Sequence, residues 1–212
     1  MQTRAILFDI DGTLLDSEET AMRSLQRLLR EEHGREYSYE ELVPFFGYTS
    51  ADTLRELGFA RLPEDEFTRL LLRWEEYYRE EARKAQFFPG VRELLEELRR
   101  RGLLLGVVTS KNRAELEFEL ASHPEIARLD VHISSEDVKR PKPAPEALLL
   151  ALARLGVPAS AAWYVGDTLF DQEAARAAGV RFALAGWGAR SVNGLDPDAW
   201  LRTPGELLGL LL

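Results

Sequence analysis

The chain has 212 residues, 36 acidic against 27 basic side chains, a formal charge of −9, 45% hydrophobic residues and no cysteine. This length and apolar content exclude a disordered chain and suit one large domain or a domain with a sizeable insertion. The absence of cysteine excludes a disulfide scaffold, a thiolate zinc site and a cysteine nucleophile, and agrees with a reducing compartment.

The acidic total speaks against nucleic-acid binding, which needs a basic patch to displace counterions. No apolar run approaches the roughly 18 residues of a membrane span; the longest runs from Ala147 to Ala153. The opening Met1-Gln2-Thr3-Arg4 leads into a short run that meets charge at Asp9, unlike a secretory signal. A soluble, cytoplasmic protein is therefore expected. Of the basic residues only Lys84, Lys111, Lys139 and Lys142 are lysines; the arginine excess fits codon composition or heat adaptation and carries no functional reading.

In chain order, residues 4–10 form the first of several short Val, Ile, Leu and aromatic runs flanked by Gly, Pro or charge, and read as a buried strand. Residues 16–86 have another texture. Ala21, Leu25, Leu28 and Leu29 share one helical face, and Phe67, Leu70, Leu71, Trp74, Tyr77 and Tyr78 share another, with no strand between them. The stripes are read as core packing and Glu75-Glu76 and Glu80-Glu81 as solvated helix faces. This all-helical insertion ends at Phe87-Phe88-Pro89-Gly90. Val91, Leu94, Leu95 and Leu98 then predict a helix stopped by Arg99-Arg100-Arg101 and Gly102. Residues 103–109, 130–134, 161–166 and 180–185 read as further strands. Strand alternating with helix predicts an α/β fold, a doubly wound, Rossmann-like parallel sheet. The core is expected at residues 1–15 and 87–212, and the helical domain at 16–86.

The strongest chemical signal is Ile6-Leu7-Phe8-Asp9-Ile10-Asp11-Gly12-Thr13-Leu14-Leu15-Asp16. A strand runs into two carboxylates two residues apart, and strand periodicity sends both side chains the same way. Two acids facing one point call for a cation, and Mg²⁺ suits oxygen ligands; the alternative is a turn with two solvated aspartates. A second pair ends another strand at Tyr164-Val165-Gly166-Asp167-Thr168-Leu169-Phe170-Asp171. Both pairs can converge where an open parallel sheet binds ligands, although Asp171 equally suits a helix cap. Arg140-Pro141-Lys142-Pro143-Ala144-Pro145-Glu146 holds Lys142 on a stiff, extended stretch, as a surface linker or as a charge aimed into the site. Val107-Val108-Thr109-Ser110-Lys111 ends a further strand with hydroxyls that fit a phosphoryl oxygen.

Together these residues resemble the haloacid dehalogenase-like hydrolase superfamily, whose four motifs appear in order as Asp9-Ile10-Asp11-Gly12-Thr13, Thr109, Lys142 and Gly166-Asp167-Thr168-Leu169-Phe170-Asp171. The resemblance covers essentially the whole chain and makes residues 16–86 a small helical cap of the C1 type. It implies that Asp9 is a nucleophile forming an aspartyl-phosphate and that Asp11 is the general acid and then base. Mg²⁺ would be held by the Asp9 carboxylate, the Asp11 backbone carbonyl and Asp167, with Asp171 a ligand or its neighbour. Thr109, Ser110 through its backbone N–H, and Lys142 would hold the phosphoryl oxygens, with Lys139 the runner-up lysine.

Departures narrow the branch. Asp11 disfavours dehalogenation. Lys84, the insertion's only lysine, stands at its exit and disfavours a phosphonatase-like Schiff base. Ser50 stands where sugar-phosphate mutases carry an arginine. The tail, Ala185-Gly186-Trp187-Gly188 and Trp200 to Leu208, looks most like phosphoglycolate phosphatases. The expected function is a Mg²⁺-dependent phosphatase of a small phosphorylated metabolite, phosphoglycolate first. Pyrophosphate, a sugar phosphate (phosphatase or mutase), a nucleotide and a catalytically silent binding role are the alternatives; monomer and homodimer stay equally open.

Gly12 and Pro89-Gly90 lie near the two cap connections and suit either hinges for a closing cap or ordinary turns. His33, His123 and His132 lie outside the motifs and are read as structural or surface residues. The helical insertion carries −6 of the total charge and the remainder −3. Four clustered carboxylates would repel a phosphate unless a cation intervenes, so phosphate binding is expected to collapse without metal.

Overall fold

The computed structural model describes residues 2–82 and 85–211. Lys84, the lysine that a phosphonatase-like Schiff base would need, lies outside the described residues. The chain forms two compact units, Met1–Leu15 with Phe87–Leu212, and Asp16–Gln86.

Strand β1 (Ala5–Phe8) leads through a tight turn to β2 (Leu15–Asp16) and then to the helices of the second unit, α1 (Glu18–His33), α2 (Tyr39–Leu42), α3 (Ser50–Leu54) and α4 (Glu64–Glu81). Strand β3 (Gln86–Phe87), paired with β2, returns the chain to the first unit. There follow α5 (Val91–Arg100), β4 (Leu104–Val108), α6 (Arg113–Ser122), α7 (Pro124–Ala127), β5 (Val131–Ile133), α8 (Glu146–Leu155), β6 (Ala162–Gly166), α9 (Leu169–Ala178), β7 (Arg181–Ala185) and β8 (Ala199–Leu201). A 3₁₀ segment, Pro204–Leu211, closes the chain.

The main sheet has the order β5-β4-β1-β6-β7-β8, and every pairing in it is parallel. This is the doubly wound sheet that the strand and helix alternation predicted. Alternate strand residues supply two cores, as a period of two demands. Ile6, Phe8, Leu105, Val107, Trp163 and Val165 face α5 and α6, packing with Leu94, Leu98 and Leu116. Ala5, Leu7, Val108, Ile133, Tyr164 and Leu184 face α8 and α9, packing with Leu148, Leu152, Ala174 and Ala175. The predicted helix stop at Gly102 is seen: Leu103 N–H reaches the Leu98 carbonyl and Gly102 N–H that of Arg99.

All five predicted strands are present; three are trimmed at both ends, and β6 and β7 only at their first residue. The sixth, β8, went unread because at the sheet edge only Leu201 of its three residues, Ala199-Trp200-Leu201, is buried, which leaves too short an apolar run.

In the helical unit the two expected stripes meet. Met22, Leu25, Leu28 and Leu29 of α1 share a core with Leu70, Trp74 and Tyr77 of α4, while Phe67 and Leu71 lie at its margin. Trp74 Nε1 donates to Ser24 Oγ (3.0 Å), and the Tyr77 hydroxyl stands 3.0 Å from carboxylate oxygens of both Glu31 and Glu32. Burying the apolar faces of these two helices while satisfying their aromatic polar atoms accounts for the fold of this unit.

Strand register sets the site. Phe8 pairs with Val107 on one side and Val165 on the other, so Asp9, Thr109 and Asp167 all leave the sheet at the carboxyl edge of three adjacent strands. After β1 the chain crosses to β4, and after β6 to β7 on the opposite side. The crevice between β1 and β6 is the switch point where such sheets bind ligands.

Candidate active site

At that edge Asp9, Asp167 and Asp171 are all buried, and each offers an oxygen within 4.8 Å of the others. Lys142 joins them: its Nζ is 3.0 Å from Asp9 Oδ2, 2.6 Å from Asp171 Oδ1 and 3.1 Å from the Tyr164 hydroxyl. The ammonium is itself buried. Lys139, by contrast, is exposed, so the proline-bracketed lysine is the one that enters the cluster.

Asp171 takes both roles that the sequence left open between cap and site. Its Oδ2 accepts from the Thr168 N–H (3.0 Å) and hydroxyl (2.6 Å) in a capping box that starts α9. Its Oδ1 faces Lys142 and the Tyr164 hydroxyl, the latter at 2.8 Å. With both oxygens engaged by donors, Asp171 anchors Lys142. Tyr164 was not singled out from sequence; a tyrosine in the middle of a fully buried strand, needing a partner for its hydroxyl, is the signal that could have found it.

The turn after β1 is built around Gly12. Its φ is +73°, and a Cβ there would stand 2.3 Å from Asp167 Oδ2, so a side chain would displace a site carboxylate. Thr13 Oγ1 donates to Asp167 Oδ1 (2.9 Å). The turn is backed by the segment after β7: Trp187 Nε1 donates to the Thr13 carbonyl (2.9 Å), and a Cβ on Gly188 would come 1.8 Å from the Gly12 carbonyl oxygen. Ala185-Gly186-Trp187-Gly188, read from sequence only as a family likeness, thus supports the turn physically.

Asp11 stands apart from the other three acids. The chain is already turning at Ile10, whose carbonyl accepts from the N–H groups of Thr13, Leu14 and Leu15, so strand alternation does not carry to Asp11. Its carboxylate is absent from the converging trio and lies 3.2 Å from Lys111 Nζ. The simple geometric expectation of four gathered carboxylates is therefore corrected to three. A role for Asp11 as a metal ligand is left to its backbone carbonyl, as the resemblance implied.

Thr109 is buried, donates its N–H to the Ile133 carbonyl (3.0 Å) and accepts from the Lys111 N–H at Oγ1 (3.2 Å). Ser110 follows it, half-buried.

Burial of so much negative charge sets the protonation states. Burial raises the Asp9 carboxyl from 3.8 to about 7 against the pull of Lys142, with the charge of Asp171 and the more distant charge of Asp11 acting in the same direction. Burial and the charges of Asp171 and Asp9 push Asp167 well above the usual carboxylate range. For Asp171 burial is outweighed by Lys142 and by hydrogen bonds from Lys142, Thr168 and Tyr164, which hold it below its ordinary value. Lys142 goes up despite its burial, because Asp171 and Asp9 face it.

Three carboxylates against one ammonium, with two of the acids resisting ionisation, form an all-oxygen donor set short of positive charge. A hard divalent cation such as Mg²⁺ fits that deficit. Of the histidines, His132 Nε2 lies 2.8 Å from the Ile126 carbonyl and His33 packs on the Phe59 ring.

The profile of the haloacid dehalogenase-like hydrolases matches residues 6–185. The chain belongs to this family. Among curated proteins it is 33% identical to pyrophosphatase PpaX of Bacillus velezensis over 207 residues, spanning 96% of this chain and 94% of that one. Among solved structures it is similar to a Lactobacillus plantarum protein provisionally assigned as a phosphoglycolate phosphatase, at 31% identity, TM-score 0.88 and coverage of 99% and 100%. It is also similar to CbbY of Rhodobacter sphaeroides in complex with phosphate, at 27% identity, TM-score 0.81 and coverage of 98% and 96%. As a haloacid dehalogenase-like hydrolase, the chain is an enzyme, and the carboxyl edge of β1 and β6 is where its motif residues gather. Among the described residues no helix is long and apolar enough to cross a membrane.

Proposed function

We propose that this enzyme is a cytoplasmic, Mg²⁺-dependent phosphatase of small phosphorylated metabolites that works through an aspartyl-phosphate on Asp9. The observation that carries the reading is the Lys142 ammonium held between Asp9 and Asp171 within a buried carboxylate cluster at the sheet's switch point. A structural ion pair would not need a third buried acid, Asp167, beside the two that face the lysine; a site for a phosphoryl group and a cation does.

Bound among Asp9, Asp167 and the Asp11 carbonyl, with Asp171 beside them, Mg²⁺ would supply positive charge to the phosphoryl oxygens and keep Asp9 ionised. Asp9 attacks phosphorus, forming the acyl phosphate bond as the bond to the leaving oxygen breaks. Asp11 gives its proton to that oxygen. Asp11 then takes a proton from the water that attacks the phosphorus, which releases inorganic phosphate and restores Asp9. Thr109, the Ser110 N–H and Lys142 hold the phosphoryl oxygens as charge redistributes. The helical unit serves as the cap that selects substrate.

Phosphoglycolate is the leading substrate, supported by the likeness to the Lactobacillus plantarum protein; pyrophosphate is second, supported by the likeness to PpaX. A phosphate-release screen over phosphoglycolate, pyrophosphate, sugar phosphates and nucleotides, with Mg²⁺ and with chelator, tests the reading. Release is expected with Mg²⁺ only and should be absent in Asp9→Asn; undiminished release in either control sinks it.

A further inference from the structure

We infer that Lys111, braced by Glu119, is a positioning residue that fixes where the Asp11 carboxylate stands; the inference rests on the reading of Asp11 as the acid and base of phosphoryl transfer. Lys111 Nζ lies 3.2 Å from Asp11 Oδ1 and 3.1 Å from Glu119 Oε1. Its side chain is only 8% exposed and that of Glu119 is fully buried. Glu119 Oε2 in turn stands 3.0 Å from His123 Nδ1, and the His123 ring meets Phe87 edge-on at 5.4 Å.

The lysine backbone is fixed as well. Its N–H donates to Thr109 Oγ1 (3.2 Å), and its carbonyl accepts from the Ser135 N–H (2.9 Å) and hydroxyl (3.1 Å). The ammonium thus meets Asp11 and Glu119 of α6, its backbone is fixed by Thr109 and Ser135, and the His123 ring backs Glu119 in turn.

A buried lysine–glutamate pair is a poor stability device, because apolar residues of similar volume would serve the core at least as well. What this pair does supply is a fixed positive charge at one oxygen of Asp11. That carboxylate needs such a tether. It leaves the chain after β1 has ended, outside the Asp9, Asp167 and Asp171 trio and away from Lys142. A general acid must stand within hydrogen-bond reach of the leaving oxygen, and a misplacement of about 1 Å costs on the order of 100-fold in rate.

The test uses leaving groups that differ in their need for a proton. In phosphoglycolate the alkyl oxygen needs protonation; in p-nitrophenyl phosphate the leaving group departs as the anion. Because Lys111→Met alone strands the buried Glu119 charge, it is paired with Glu119→Gln, and Lys111→Arg serves as the conservative rescue. With Mg²⁺ present, the double variant should lose about 100-fold in kcat/KM, which reports formation of the aspartyl-phosphate, on phosphoglycolate and less than about threefold on p-nitrophenyl phosphate; the later hydrolysis, which needs Asp11 as base with either substrate, falls on kcat for both. Lys111→Arg should recover most of the loss. In an Asp11→Asn background the same two changes should cost nothing further, since they act through the carboxylate already removed.

Equal losses of kcat/KM on both substrates, or a loss that adds to that of Asp11→Asn, would overturn the inference and leave Lys111 a structural residue. A wild-type protein that releases no phosphate from either substrate would overturn the functional reading itself, and the inference with it.

Discussion

Without metal, the first unit should lose stability as pH rises from 4 to 7, the reverse of a protein whose acids are salt-bridged. The cause is Asp9, whose carboxyl is raised by burial and neighbouring charge from 3.8 to about 7. Above pH 4 the unfolded chain has already released this proton while the folded site retains it. The folded state therefore binds more protons, and stability falls with pH across that window. At about 1.4 kcal/mol per pH unit the window carries on the order of 4 kcal/mol for this one group, and the raised Asp167 adds in the same direction.

Asp171, lowered, contributes stability that is present above its unfolded value near 3.8 and lost only as pH falls below it. Lys142, raised, contributes stability that is lost only in the alkaline range. Neither offsets the slope between pH 4 and 7. For a chain of this size the slope corresponds to a fall of roughly 10 °C in the unfolding temperature of the first unit. Thermal unfolding in chelator at steps from pH 4.5 to 8, beside the same series in Mg²⁺ and beside Asp9→Asn, reads it. The stabilisation gained from Mg²⁺ should grow with pH, and Asp9→Asn should flatten the metal-free slope. A metal-free unfolding temperature that stays level or rises over this range, or an equal metal increment at pH 5 and pH 8, would refute the account of the cluster.

Asp171→Asn should remove the ionic anchor of Lys142 while keeping a cap on α9, so activity should fall at least about 100-fold with a loss of roughly 3 kcal/mol in stability, measured by steady-state kinetics and denaturant unfolding. Gly12→Ala forces a side chain at φ +73° to within 2.3 Å of Asp167; metal-dependent stabilisation in a thermal shift assay should disappear, and a normal shift would contradict the geometry. Gly188→Ala, far along the chain, should also reduce turnover, because its Cβ collides with the Gly12 carbonyl, whereas Gly205→Ala meets nothing within 4 Å and should be silent in the same assay.

How legible the site was depended on how local its signals are. Asp9 and Asp167 each end a short apolar run, so a strand reading alone places them at one sheet edge. Lys142 between two prolines could be placed only once a fold was assumed. The sequence around Asp171 fits a cap and a site equally, and a carboxylate with two oxygens serves both. Tyr164 and Lys111 were missed as site residues for opposite reasons. Tyr164 hides inside an otherwise apolar strand, where its ring serves the core. Lys111 stands at the end of its motif, but its partner Glu119 lies eight residues on along α6, and no spacing shows that Asp11 comes to meet it. Strand β8 escaped because an exposed edge strand of three residues lacks the buried run that marked the others.

The central claim is that Asp9 is phosphorylated in turnover. Borohydride reduction of the enzyme during steady-state hydrolysis, followed by peptide mass spectrometry, reads this directly, since a phosphorylated aspartate is trapped as homoserine. The account predicts trapping at Asp9 in wild-type protein with Mg²⁺ and none in chelator or in Asp9→Asn. Phosphate release with Asp9 unmodified, or trapping at another carboxylate, would contradict it.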